Sequence, residues 1–98
     1  NRGNSHYQLR QYSTAIADYT KRIQLDPDAA LAYYGRGASH NQLRQYSTAI
    51  ADYTKAIQLD PDFALAYEWR STSYRELGQS TLADADKARA CSLDSEYC

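Results

Sequence analysis

The side chains best suited to ligate a metal or attack a substrate are two histidines, His6 and His40, and two cysteines, Cys91 and Cys98. His6 and His40 lie 34 residues apart in nearly identical surroundings, Ser5-His6 and Ser39-His40. If the two segments are successive packed helices, the imidazoles stand about 8–10 Å apart. Two ligands of one zinc lie within about 4 Å of each other, because each bond is near 2 Å. A shared metal is therefore not expected, and each histidine reads as a packed or half-buried side chain. The Ser-His neighbours make no catalytic pair either, since adjacent residues of a helix project in different directions. Cys91 falls on an apolar helix position and reads as a buried, inert thiol, whereas Cys98 reads as a free thiol able to oxidise between molecules. Gly3, Gly35, Gly37 and Gly78 are scattered and form no phosphate-cradling loop. With no nucleophile beside a base and no paired carboxylates in an apolar setting, neither an enzyme nor a cofactor is implied.

The bulk properties narrow the partners. Eleven Lys and Arg against twelve Asp and Glu leave a net charge of −1, so no basic field is present to collect nucleic acid or an anionic membrane surface. The apolar runs are only a few residues long, against the roughly 20 that a bilayer-spanning helix needs. At 98 residues the chain is one domain, and 43% hydrophobic with 23% charged residues is an ordinary globular balance. Two cysteines are too few for a disulfide framework, and a reducing, cytoplasmic setting is the expectation. The ten tyrosines are the unusual feature and must be organised by the fold.

What organises them is a repeat. Asn1–Ala29 and Gly35–Phe63 pair at an offset of 34 residues and differ at five positions: Asn1/Gly35, Asn4/Ala38, Tyr7/Asn41, Arg22/Ala56 and Ala29/Phe63. Ala64–Tyr97 is a third, diverged copy at the same period, retaining Leu77 against Leu43, Ala83 against Ala49 and Leu93 against Leu59. This divides the chain into repeat 1 over residues 1–29, short of its opening residues, repeat 2 over 30–63 and repeat 3 over 64–97. Within a copy, Asp26-Pro27-Asp28 and Asp60-Pro61-Asp62 punctuate, because the residue before proline is driven out of the α region. Asp28, Asp62 and Ser47 are candidate helix caps. Between these signals apolar residues recur at three and four, as in Ala49, Ile50, Tyr53, Ala56 and Ile57. The reading is all-α, with helices over about 1–10, 13–25, 29–43, 47–59, 63–77 and 80–92. One helix pair cannot bury its apolar faces alone, and stacked pairs share a continuous core.

Tyr33, Gly37, Tyr46, Ala49, Tyr53, Ala56 and Pro61 alternate aromatic and small residues and end on a proline. In period and pattern the chain resembles the tetratricopeptide repeat family over essentially its whole length. The resemblance implies a right-handed α-solenoid of stacked antiparallel helix pairs. It also implies a non-enzymatic protein-protein interaction scaffold, in which the first helices of successive repeats line a concave groove for a peptide or helix of a partner protein. Carried over by motif position, the groove residues are Asn4, Tyr7 and Gln8 in repeat 1. They are Tyr34, Ala38, Asn41 and Gln42 in repeat 2, with Leu31 and Gly35 beside them. In repeat 3 they are Glu68, Trp69, Thr72, Arg75 and Glu76, with Leu65. Trp69 reads either as an aromatic anchor or as packing between repeats. Some members of the family clamp a partner's C-terminal carboxylate with Lys, Asn and Arg. Only Asn4 matches that set here, with Gly35, Leu65 and Trp69 at other clamp positions, so a chaperone-tail clamp is not expected.

The copies also disagree. Arg22 replaces the small residue found at Ala56 and Ala90, and must reach solvent or pair, with Asp26 one turn on. In repeat 3, Ser80, Asp84 and Lys87 replace Tyr46, Ile50 and Tyr53, a polar outer face suited to a terminal repeat, with Asp84 and Lys87 able to pair. Asp18-Tyr19 and Asp52-Tyr53 read as one exposed and one buried residue each. The chain opens inside a first helix, so further repeats or another domain are expected before it, and Ser95 in place of the proline suggests that the array ends there. A second reading competes with the groove: near-interchangeable copies and an incompletely covered first repeat invite self-association by helix exchange.

Overall fold

The computed structural model describes the backbone from residue 2 to residue 98 and the side chains from residue 10 onward. Among the described residues five α-helices follow one another: α1 Arg2–Leu25, α2 Ala30–Gln42, α3 Tyr46–Leu59, α4 Ala64–Glu76 and α5 Ser80–Leu93, with a 3₁₀ turn at Ser95–Tyr97. Each helix packs on the next, and α2 also touches α4, the arrangement of a helical solenoid. Among the described residues no helix is long and apolar enough to cross a membrane.

Small residues set how closely these helices approach. Among the described residues Ala32, Ala49, Ala56, Ala66, Ala83 and Ala90 are the buried aliphatic core, and Tyr53 is the fully buried aromatic. A Cβ on Gly37 would lie 2.8 Å from the Tyr53 ring and 3.2 Å from the Ala49 carbonyl, so only glycine lets α2 lie against α3 here. The tyrosine takes the volume that glycine and alanine leave free. Its hydroxyl finds no hydrogen-bond partner, and burial pushes the phenol well above the ordinary tyrosine range.

A polar ladder runs through the stack at the repeat period. Arg36 donates from Nε and Nη2 to the two Asp52 carboxylate oxygens at 2.9 and 2.8 Å, and from Nη1 to the Thr20 hydroxyl at 3.3 Å. One repeat on, Arg70 does the same to Asp86 at 2.7 Å for both bonds and to Thr54 at 3.1 Å. Each arginine thus joins its own repeat's second helix to that of the preceding repeat. Thr20 and Thr54 donate their own protons to Ile16 and Ile50 carbonyls, leaving a lone pair for the guanidinium. Asp52 and Asp86 are each 6% exposed. Asp52 is therefore not the solvent-facing member of its pair with Tyr53: a bidentate arginine makes its burial affordable.

Several other local expectations change. Six helices were expected and five form among the described residues, because the segments expected as two helices over 1–10 and 13–25 are covered by the single α1 Arg2–Leu25. The helix starts at Ala29, Gln45 and Phe63 carry no side-chain cap. Asp26 and Asp60 accept from the Asp28 and Asp62 amides at 3.3 and 3.2 Å, so these motifs build Asx turns around the proline. Ser47 lies inside α3 and caps nothing. Asp84 and Lys87 do not pair: Lys87 reaches both Glu68 oxygens at 2.9 Å, and Asp84 accepts from Arg75 at 3.2 Å. Neighbouring helices offered both groups partners across the repeat. Cys91 and Cys98 are joined as a disulfide with Cα atoms 4.7 Å apart, correcting their reading as two free thiols. Asp94, extended and accepting from the Glu96 amide at 3.0 Å, turns the chain back over the end of α5 and brings the two sulfurs together.

Candidate functional site

The face shared by α2 and α4 carries the aromatic residues left over from the core. Tyr34 on α2 meets Phe63 with ring centroids 5.0 Å apart, Tyr53 at 6.0 Å and Trp69 edge-on at 6.5 Å. Such tilted and edge contacts align ring edges with ring faces, the geometry the aromatic quadrupole favours. Trp69 is half-buried, so it both packs on the preceding repeat and shows surface to solvent. Burial, more than the nearby Tyr97 and Tyr19, raises the Tyr34 phenol above its usual pKa, so it stays a neutral hydrogen-bonding group at physiological pH.

Amide and charged groups frame this cluster. Asn41 Oδ1 accepts from the buried Ser73 hydroxyl at 2.9 Å, tying the end of α2 to α4. Glu68 is held by Lys87 of α5. The Thr72 hydroxyl donates to the Glu68 carbonyl at 3.3 Å and faces solvent, as do Arg75 and Glu76. Leu31 and Leu65, at equivalent points of α2 and α4, are 70% and 38% exposed and extend the apolar row along one edge.

Of the residues expected in a groove, the structure gathers Tyr34, Asn41, Glu68, Trp69 and Thr72 on α2 and α4, with Ala38 half-buried on α2. Gln42 lies exposed at the end of α2. Arg75 and Glu76 end α4 away from the aromatic cluster, and Arg75 is turned to Asp84. The side chains of Asn4, Tyr7 and Gln8 lie outside the described residues. The sequence reading missed Phe63, whose only signal was its difference from Ala29, and Lys87, which it had assigned to another partner. Arg22 is exposed and, with Asp18, Tyr19, Ala29, Tyr34 and Gly35, lines a pocket of about 580 Å³ between α1 and α2. His40 holds Gln45 at 2.7 Å through Nδ1 and stands 3.9 Å from Asp52. Among the described residues no cluster of three or more His, Cys, Asp or Glu could hold a metal.

Comparison with known proteins follows the same geometry. Family models described as tetratricopeptide repeat match residues 30–63 and 52–85, and one described as TPR repeat matches residues 3–43. No curated protein matched the chain in sequence. Among solved structures, the first TPR of Spaghetti (RPAP3) bound to the HSP90 peptide SRMEEVD superposes with a TM-score of 0.86 at 26% identity, over 96% of this chain and 75% of that one. The Arabidopsis OM64 TPR domain gives 0.85 at 33% identity, over 95% and 77%. The TPR2B domain of yeast Sti1, in a structure described as its pHsp70 complex, gives 0.85 at 30% identity, over 96% and 75%. With its 34-residue period, helix pairs and these likenesses, the chain belongs to the tetratricopeptide repeat family.

Proposed function

We propose that the chain is a non-enzymatic scaffold that binds a peptide or helix of a partner protein along the face of α2 and α4. The observation that carries this reading is the half-buried Trp69 set edge-on against Tyr34, with Leu31 and Leu65 exposed beside them. Aromatic side chains that keep one face open supply rigid contact area at low entropic cost, which is why they dominate interface hot spots. One of the similar structures is described as bound to an HSP90 peptide and another as a pHsp70 complex, which supports a protein or peptide as the ligand class. The ligand itself differs from a carboxylate-terminated tail. Gly35, Leu65 and Trp69 supply no cation where a clamp needs one, and Glu68 places a carboxylate beside the aromatic cluster. The groove selects an apolar or aromatic anchor flanked by amide-bonding residues.

The test is selection of binders from a random peptide library, followed by affinity measurement on Tyr34→Ala and Trp69→Ala. Each substitution is expected to weaken the selected peptides at least about tenfold, the scale of a hot-spot residue, while helicity is retained. Peptides that bind both variants as tightly as the unaltered chain would place recognition elsewhere.

A further inference from the structure

The turn that follows α5 repeats the one that follows α3. After α3, Asp60 is extended, its carboxylate accepts from the Asp62 amide at 3.2 Å and its carbonyl accepts from the Phe63 amide at 3.1 Å. After α5, Asp94 is extended and accepts in the same two ways, from the Glu96 amide at 3.0 Å and the Tyr97 amide at 3.0 Å. One repeat period separates the two turns, so Tyr97 takes the place of Phe63, and Glu68 that of Tyr34. Phe63 lies against Tyr34 with ring centroids 5.0 Å apart, and the same register sets Tyr97 beside Glu68 on α4. Burial first, and then the carboxylates of Asp94, Glu96 and Glu68, raise the Tyr97 phenol above the usual tyrosine range, and Tyr97 in turn acts on Tyr34. Tyr97 is therefore within electrostatic range of both groove residues. Phe63 leaves Tyr34 and Trp69 half-buried rather than covered, so a ring in this position lines the groove without closing it.

What holds the two turns differs. Pro61 fixes the backbone of the first, and α4 starts at Ala64, directly after Phe63. In the second turn Ser95 stands in place of the proline, and the counterpart of Ala64 is Cys98, bonded to Cys91 on α5. A 3₁₀ turn of three residues is marginal by itself, and Ser95, Glu96 and Cys98 are exposed. The disulfide thus does what proline and the next helix do one repeat earlier. Taking the α2–α4 face as the binding groove, we propose that Tyr97 is a further contact residue of that groove, latched there by the Cys91–Cys98 disulfide and released when the disulfide is reduced. Tyr97 offers the partner a ring face and a phenol beside the Glu68 carboxylate, which suits a side chain combining an apolar body with a hydrogen-bond donor. A dithiol reductant opens the latch. One of its thiolates attacks the exposed Cys98 sulfur and displaces Cys91, and its second sulfur then displaces Cys98. Each cysteine leaves as a thiolate and takes up one of the protons the reductant gives up, so two thiols form on the chain as the dithiol becomes a disulfide.

The probe is a fluorescent peptide selected from a random library on the oxidised chain, its affinity read by anisotropy with and without dithiothreitol. Tyr97→Ala is expected to weaken binding at least about fivefold, the loss on removing a contributing interface residue. Reduction weakens binding to the unaltered chain and leaves the Tyr97→Ala chain unchanged. It has no effect on Ser95→Pro, in which proline holds the turn as Pro61 does. Peptides that Trp69→Ala weakens, but that bind the unaltered, reduced and Tyr97→Ala chains equally, overturn the latch and leave the groove standing. A loss on reduction that persists in Tyr97→Ala overturns the latch too, and peptides indifferent to both Tyr34→Ala and Trp69→Ala overturn groove and latch together. Hydrogen exchange supplies a measurement that needs no ligand. The Tyr97 and Cys98 amides, which donate to the Asp94 and Ser95 carbonyls, are expected to exchange faster after reduction while those of α3 and α4 do not, and an unchanged rate overturns the latch.

Discussion

Gln8–Lys21 and Gln42–Lys55 are the same fourteen residues, QLRQYSTAIADYTK, in two conformations. The first runs through the middle of α1 as uninterrupted helix, whereas the second ends α2, turns at Leu43-Arg44-Gln45 and begins α3. In the turn, the Gln45 amide donates to the His40 carbonyl at 2.9 Å and the Arg44 amide to Asn41 at 3.0 Å, closing the end of α2. Arg44 must adopt φ of 63°, which costs a non-glycine residue about 1–2 kcal/mol. Within these fourteen residues nothing local distinguishes the two copies; the nearest difference is Tyr7 in place of Asn41, just before them. The contacts that offset the cost are distant in sequence: Arg36 on Asp52, Gly37 against Tyr53, and Asn41 on Ser73 of the following repeat. The comparison teaches that this hinge is near balance and that packing, not propensity, sets its state.

The largest expected contrast between the two copies is at their shared tyrosine. Tyr53→Ala empties a fully buried site and should cost about 3–5 kcal/mol in urea unfolding. Tyr19→Ala, at a half-buried position, should cost less than half as much. Equal losses would mean that the first repeat is closed in solution like the second.

Next in size is the acidic residue beside each tyrosine. Asp52→Ala leaves the Arg36 guanidinium without its bidentate partner and should destabilise by about 2–3 kcal/mol. Asp18→Ala, at an exposed position, should change stability by no more than about 0.5 kcal/mol when the chain is dilute. A large effect at Asp18 under those conditions would break the comparison.

The hinge itself should respond with opposite sign in the two copies. Arg44→Gly relieves the left-handed arginine and should stabilise by about 1 kcal/mol. Arg10→Gly places glycine inside a helix and should destabilise by about 1 kcal/mol. Calorimetric midpoints moving in the same direction would show that the copies share one conformation.

The smallest effect concerns the Tyr53 hydroxyl, buried without a partner. Tyr53→Phe should be neutral or stabilise by up to about 1 kcal/mol at neutral pH. The raised Tyr53 pKa means that the fold holds the neutral phenol while the unfolded chain releases its proton from about pH 10.0 upward. This contribution is complete below that pH and is lost as pH rises beyond it. Tyr53→Phe should therefore flatten the alkaline limb of a stability profile, and an unchanged slope would count against the burial argument.

How much was legible follows from which physics acts locally. That Tyr34 and Asn41 on α2 and Glu68 and Trp69 on α4 fall on facing first helices could be read from the period, because a helix of known register has only one face toward its neighbour. The partners of Lys87, Asp84 and Asp52 could not, since each was chosen by a helix from a neighbouring sequence segment. Local spacing favoured Asp84 with Lys87, and the fold offered both groups better-placed opposite charges. Cys91 and Cys98 look like two isolated thiols until the Ser95–Tyr97 turn returns the chain to α5.

The sequence by itself determined the 34-residue period, the helical class, the interleaving of small and aromatic core residues and the family. These rest on periodicity and side-chain volume, which every copy carries within itself. The tertiary structure decided which copy bends at its turn, which aspartates are buried and which charges pair. Each of those is a choice between local states about 1–2 kcal/mol apart, small enough for contacts between repeats to reverse.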